Sequence, residues 1–179
     1  VNVEGDALAG PLLAKRAREK GVVYSMACGD QPALIAEHVD WARTCGFEVV
    51  CAGKGTRYNT HYHRSNPDTV WEILDKYLQI SDRSHINPKM FNSFIDGTKS
   101  GIEMAAVANA TGLTPPPDGL AFPPVSADDL AAVLRPGNHA GALHHAGQVE
   151  VISSVNRDGS AVPRDLRWGV YVVFEAPNA

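Results

Sequence analysis

An α/β fold, a mixed sheet with flanking helices, is what this chain of 179 residues predicts. Two successive units in which an apolar, strand-like run is paired with a helical segment argue for it. A polar, Gly-rich stretch then follows directly on an apolar strand, and two further apolar runs stand near the C-terminus. One domain over residues 1–179 accommodates this content, and the length suffices to bury a substantial core.

The opening string VNVEGD reads as the end of a strand running straight into a helix over 7–20, with Gly21 as its stop. Asn2 and Glu4, two apart on a strand, would point the same way, and Asp6 follows; oxygen ligands of this kind suit a hard divalent cation. The alternative for Glu4 and Asp6 is plain electrostatics, carboxylates at the positive end of a helix. A strand is predicted over 22–27. The turn from Gly29 to Pro32 then opens a helix to Cys45, capped by Asp30, with Ala33, Leu34, Val39 and Trp41 on its buried side.

Residues 47–51 form the next predicted strand, and AGKGTRYNTHYHR after it reads as a binding loop. Gly53 and Gly55 would leave room beside Lys54, and Lys54 with Arg57 are natural partners for a phosphate. The spacing is not that of a Walker loop, and the chain contains no GxGxxG fingerprint. His61 and His63 alternate with tyrosines but lack companion ligands at zinc spacing, so the pair is read as making a substrate contact, His61 above all, or as filling a hydrogen-bonded loop role. A helix over 67–77 follows, with Trp71 and Leu74 inward.

The densest stretch runs from Asn87 to Asn109. Asn92, Asp96, Lys99 and Glu103 recur at intervals of three or four, which on a single helix forms one charged stripe. Lys99 and Glu103 would serve as an ordinary surface pair, but the apolar residues around them argue that the stripe floors a cleft, where a charge must be paired or used. Residues 111–127, rich in Pro and Gly, predict an ordered crossing loop. A short helix over 127–133 and strands over 148–154 and 168–175 complete the chain, the strands joined through a turn at 156–159. The last strand, apolar at consecutive positions, is expected to be buried on both faces. His139, His144 and His145 fall in a Gly/Ala-rich loop and are expected to face solvent.

Hydrophobic residues make up 44% and charged residues 20%, with net charge −4, which describes a soluble globular protein without an electrostatic footprint for nucleic acid or an anionic membrane. No apolar run approaches the roughly 18 residues that span a bilayer. The three cysteines lack CxxC spacing and are read as core fillers in a reducing compartment, so a cytoplasmic location is expected. A start without Met, at what reads as the functional end of a strand, leads us to expect a piece of a longer chain.

From VNVEGDALAG through EVVCAGKGTRYNTHYHRSNPDTVW and NPKMFNSFIDGTKSGIEMAAVANATGL to LRWGVYVVFEA, the chain resembles the middle portion of a bacterial oxidoreductase family related to homoserine dehydrogenases. One branch of that family is the 1-deoxy-D-xylulose 5-phosphate reductoisomerase-like enzymes. The resemblance implies a preceding NAD(P)-binding Rossmann domain and a following SAF-like domain. This chain would then be the catalytic domain of a Rossmann-type oxidoreductase lacking its dinucleotide-binding domain, inactive alone. VNVE resembles the acidic metal-binding motif of the reductoisomerases, with Glu4 at the Glu position and Asn2 in place of an Asp. Lys99 and Glu103 match the Lys-x-x-x-Glu of their second motif, preceded by Asn92 or Asp96.

The resemblance thus implies NADPH and a divalent cation, Mg or Mn, held by Glu4, Glu103 and Asp6. Catalytic roles fall to Lys99, Lys54, Glu4 and Glu103. A small phosphorylated or polar substrate would be held by Arg57, Asn92, Ser93, Asp96 and His61. A homo-oligomer is compatible with the family. The implied reaction is NADPH-dependent conversion of 1-deoxy-D-xylulose 5-phosphate. The alternatives are a homoserine-dehydrogenase-like oxidoreductase without a catalytic metal, and a non-catalytic ligand-binding domain derived from such an enzyme.

Overall fold

The computed structural model describes residues 3–77, 82–137 and 141–177. Strand β1 (Glu48–Thr56) is the centre of a three-stranded sheet of order β2-β1-β3. It pairs in parallel with β2 (Gln148–Ser153) and antiparallel with β3 (Val170–Glu175), so the sheet is mixed, as the sequence predicts. Helix α1 (Val3–Lys20) packs on α5 (Thr98–Thr111), and α2 (Gln31–Thr44) packs on both α5 and the sheet. Helices α3 (Val70–Tyr77) and α4 (Pro88–Ile95) lead into α5. A short 3-10 turn and α6 (Leu130–Val133) occupy the predicted 127–133 helix.

The core lies on both faces of the sheet. Ile35 and Val39 of α2, Met104 and Val107 of α5, and Val149 and Val151 of β2 form one cluster; Val50, Cys51, Leu134, Ile152, Tyr171 and Val173 form the other. The Asp30 side chain accepts from the Gln31 N–H and Pro32 sits in the first turn of α2, which is the predicted start. Its inner face is Pro32, Ile35, Val39 and Ala42 rather than Ala33, Leu34 and Trp41. Trp41 is half exposed and packs against Phe47 and Phe174.

Several elements differ from the sequence expectation. The opening residues from Val3 are already helical, and Val1 and Asn2 lie outside the described residues. Residues 22–27 form no strand, because β1 has both neighbours filled and the run has no partner; Val22 and Val23 stay exposed. The predicted strand at 47–51 continues to Thr56, so AGKGT is strand and not loop. What approaches Gly53 and Gly55 is the chain's own backbone. A Cβ at Gly53 would stand 1.8 Å from the Glu150 carbonyl oxygen, and one at Gly55 1.8 Å from that of Leu166. Glycine there is a packing requirement, not a sign of a loop.

The stripe from Asn92 to Glu103 is not one helix. Asp96 caps α4, and Gly97 adopts φ 92, which a side chain disfavours; α5 then starts in a new direction at Thr98. Among the cysteines only Cys51 fills the core, while Cys28 and Cys45 are exposed. β3 is an edge strand with Tyr171 and Val173 buried and its other face half covered, whereas β2 is buried throughout. The two are separated by β1 although no other strand lies between them in sequence; residues 154–169 carry the chain across β1 from one edge of the sheet to the other. His144 is exposed and His145 binds Thr114 Oγ1 through Nε2 at 2.6 Å, while His139 lies outside the described residues.

The Pro-rich crossing segment is ordered as expected. It runs along the outer edge of β2, receiving N–H bonds from Val149 to Thr114 and from Ser153 to Pro123. The buried Glu150 carboxylate accepts from the N–H groups of Ala121, Phe122 and Val151 and so fastens the crossing to the sheet. Burial pushes its carboxyl above the usual range, against these N–H groups and Arg157, which favour the charged form.

Three tests follow from this packing. Gly55→Ala places a methyl against a carbonyl that cannot retreat without moving Leu166, and should cost about 3 kcal/mol by urea denaturation. Gly101→Ala, in α5 with nothing within 4 Å of the added Cβ, should raise stability by about 1 kcal/mol. The raised folded value of Glu150 stabilises fully below its unfolded pKa, and this contribution is lost as pH rises through the folded value. The stability of the wild type relative to Glu150→Gln should therefore fall as pH rises above the ordinary carboxylate range of about 4, read from denaturation midpoints across a pH series.

Candidate active site

Near the C-terminal end of β1, Lys54 points into the interface between the sheet and α5. It can do so because the strand is flanked there by glycines, which let β2 and the 166–169 segment close over the backbone on both sides. The Lys54 ammonium donates to Glu103 Oε2 and to Gln31 Oε1, the latter at 2.6 Å. Glu103 is buried to 1% exposure, and its other oxygen, Oε1, lies 2.9 Å from Lys99 Nζ. Lys99 is 40% exposed, with its ammonium 5.1 Å from the Phe94 ring centre, within cation–π reach.

The three side chains form one line of charge from core to surface: Lys54, Glu103, Lys99. The two ammonium groups exceed the one carboxylate by one positive charge, a surplus suited to an anionic ligand or a developing oxyanion. Burial pushes Lys54 below the ordinary lysine value, and the charge of Lys99 adds to this; the hydrogen bond and charge of Glu103, with a smaller part from Asp30, oppose it. Burial thus makes the Lys54 proton easier to lose than that of a solvent-exposed lysine, while Glu103 opposes its loss.

The structure thus brings together Lys54, Lys99 and Glu103 and leaves the other sequence-derived candidates elsewhere. Asn92 is buried and donates to Asp96 Oδ2 at 2.8 Å and to the Ser65 carbonyl at 3.4 Å, while its own Oδ1 is buried without a hydrogen-bond partner. His63 Nδ1 lies 3.2 Å from the Asp96 carbonyl. Asn92 and Asp96 therefore form a second polar group at the α4–α5 junction. The Ser93 hydroxyl donates within its own helix to the Met90 carbonyl at 2.6 Å. His61 is exposed, with its ring held by Asn59 Oδ1 at 2.8 Å, and Arg57 is half-buried just past β1.

Glu4 is exposed and lines a groove of about 450 Å³ between α1 and α5, together with Thr98, Gly101, Ile102 and Ala105. At about 100° per residue, Glu103 lies roughly 150° round α5 from that row, so Glu4 and Glu103 face away from each other. Asp6 is buried on α1, where Tyr24 donates to Oδ1 and Oδ2 has no hydrogen-bond partner. These residues do not fit the shared metal site that the resemblance implies. Each Glu103 oxygen already faces an ammonium, whose charge opposes a cation, and among the described residues no three His, Cys, Asp or Glu side chains converge.

Sequence reasoning missed Gln31, whose amide reaches Lys54. The available signal was a polar, long side chain at the first helical position after a cap, at the end of a helix facing the sheet.

Residues 29–179 match the family model described as the catalytic domain of oxidoreductase DRL. The chain belongs to that family. The match includes Gln31, Lys54, Lys99 and Glu103, whereas Glu4 and Asp6 precede it. No curated protein matches the chain. As a catalytic domain of the DRL family, the segment has one buried cluster that combines an acid, a loosened base and a half-open cation. None of its helices among the described residues is long and apolar enough to cross a membrane.

Removing one partner of a buried ion pair leaves the other uncompensated, so Glu103→Ala should cost about 3–5 kcal/mol. Adding Lys54→Met to Glu103→Ala should recover most of that loss, and Lys99→Ala alone should change stability by less than about 1 kcal/mol because Lys99 is half exposed. Urea denaturation of the wild type and these three variants measures all three effects.

Proposed function

We propose that the full-length protein is an NADPH-dependent reductoisomerase acting on 1-deoxy-D-xylulose 5-phosphate, and that this segment holds the substrate at Lys54, Glu103 and Lys99. The observation that carries the reading is the buried Glu103 carboxylate shared by two lysines of unequal exposure, in a domain of an oxidoreductase family.

Conversion of this ketose phosphate requires a C–C bond to shift while one hydroxyl gives up its proton to become the aldehyde and the neighbouring carbonyl oxygen, on which charge gathers, takes a proton up, so that the isomerisation is proton-neutral. The aldehyde so formed then gains a hydride at carbon and a proton at oxygen. Lys99, half open to solvent, faces the reacting oxygens: its ammonium stabilises the oxyanion in both stages and donates the final proton. Glu103 holds that ammonium in place from the inside. Lys54, with its loosened proton, sets the charge behind Glu103 and resupplies Lys99 through the carboxylate. NADPH, when bound, supplies the hydride and is left as NADP+; no residue of this segment is assigned to it. Arg57, with the half-open lysine, would attract the phosphate.

A second reading draws on the engagement of both Glu103 oxygens by ammonium groups. A homoserine-dehydrogenase-like reduction of another small carbonyl compound would use the same three residues with no catalytic metal.

Following NADPH oxidation by the full-length protein with 1-deoxy-D-xylulose 5-phosphate separates the two. Turnover is expected, with Lys99→Ala lowering kcat/KM by about 10²–10³ while stability is kept. Turnover should persist after exhaustive chelation if the lysines carry the charge. No turnover with this sugar phosphate, with or without added Mg or Mn, would overturn the substrate; NADPH-linked reduction of a non-phosphorylated carbonyl compound would then favour the second reading.

A further inference from the structure

Gln31 lies beside the cluster, and no step above uses it. Its amide is bound at both ends by groups from other elements: Oε1 accepts from Lys54 Nζ at 2.6 Å, and Nε2 donates to the Trp168 carbonyl at 3.3 Å. Only this orientation satisfies both neighbours, since an ammonium can only donate and a carbonyl can only accept. The side chain starts from a fixed place, because Asp30 caps α2 and Ile35, Val39 and Ala42 bury the helix against the sheet.

Trp168 belongs to the segment that leads into β3. That segment starts at Arg164, whose φ is 48, and crosses Gly55 so closely that only a hydrogen fits between them. Gly55 N–H donates to the Gly169 carbonyl and Gly169 N–H to that of Leu166, each at 3.0 Å. The segment is therefore fastened to β1 one residue beyond Lys54; Ala127 N–H donates to the Arg164 carbonyl at 3.0 Å and Arg167 Nε to Ser154 Oγ at 3.3 Å, and Gln31 supplies the side-chain fastening that joins the segment to α2 and Lys54. Trp168 itself is 85% exposed, so burial of its indole does not hold this stretch down.

We propose that Gln31 is a positioning residue of the site: its amide ties the 164–169 segment to Lys54, fixing the direction of the ammonium and closing that side of the cluster. The inference rests on the reading of Lys54, Glu103 and Lys99 as the active site. The charged groups facing Lys54 are Glu103 and Lys99 from α5 and Asp30 from the start of α2.

Two readouts on the full-length protein test it. Tryptic cleavage after Arg167, followed by mass spectrometry, reports the fastening without requiring turnover. Gln31→Leu, which loses both bonds, should speed that cleavage about tenfold relative to cleavage elsewhere. It should also lower kcat for the sugar phosphate about tenfold, with KM within about twofold. Gln31→Glu keeps the acceptor toward Lys54 but turns a carboxylate oxygen toward the Trp168 carbonyl. It should restore kcat to within about threefold of the wild type while cleavage stays fast. Wild-type cleavage and kcat in Gln31→Leu would overturn the proposal, as would an equal loss in both variants with a general rise in cleavage across the chain. If the wild type turns over no substrate, the reading of the active site fails, and the cleavage rates still decide whether Gln31 fastens the segment.

Discussion

Backbone carbonyls of Glu150 and Leu166 pass so near to β1 that a Cβ at Gly53 or Gly55 would stand 1.8 Å from each, well inside any real contact. β1 can be the central strand only with glycine at both positions, and the residue between them then has no choice of environment. Lys54 is forced into the space between sheet and α5, where water cannot follow. A long cation placed there must find an anion, and Glu103, one and a half turns into α5, is the group that meets it. The sheet register, the position of α5 and the charge cluster are thus one constraint seen from three sides.

An ion pair in such a place is poor material for stability. Desolvating an ammonium and a carboxylate costs several kcal/mol per ion, and a well-packed apolar pair of the same volume is often as stable or more so. The second lysine changes the arithmetic only in part, because Lys99 approaches Glu103 from the wet side. What the arrangement does provide is a fixed carboxylate between two cations in different surroundings, which is useful for moving or stabilising charge and of little use for holding a fold together. The contrast with Glu150 is instructive. That carboxylate is also buried, and burial pushes its carboxyl up, yet it is met by backbone N–H groups of the crossing segment and serves the architecture.

Much of this was legible in the residues. The mixed α/β class followed from the order of apolar runs, α2 from its Asp-Gln-Pro start, and the crossing segment from its prolines. That Lys54, Lys99 and Glu103 would be paired was legible because charged residues amid apolar ones need partners. The failures share a physical cause: a local pattern cannot show which backbone passes beside it. Gly53 and Gly55 look the same whether a ligand or another strand approaches, and only the long-range pairing decides. The apolar run at 22–27 has strand composition but no vacant place beside β1. Asp96 and Gly97 carried the signal of a break, yet the three-and-four spacing across them made a continuous stripe attractive. Glu4 was drawn toward Glu103 by motif likeness, and α1 instead packs on the far side of α5.

The unequal exposure of the two lysines gives the site a direction. In the site as proposed, a ligand arriving from solvent would meet Lys99 and the Phe94 ring first, and would reach Lys54 only through Glu103. Any change of charge at the ligand is therefore felt by the buried lysine through the carboxylate, in a medium where screening is weak. Negative charge growing on a bound oxygen draws Lys99 outward and weakens its hold on Glu103. The carboxylate then leans more on Lys54, whose charge burial already disfavours. The same geometry that makes the inner pair a doubtful contributor to stability makes it responsive to the outer one, and that response requires Lys54 to be held at a constant angle. Glu103 fixes one direction of its ammonium and Gln31 the other.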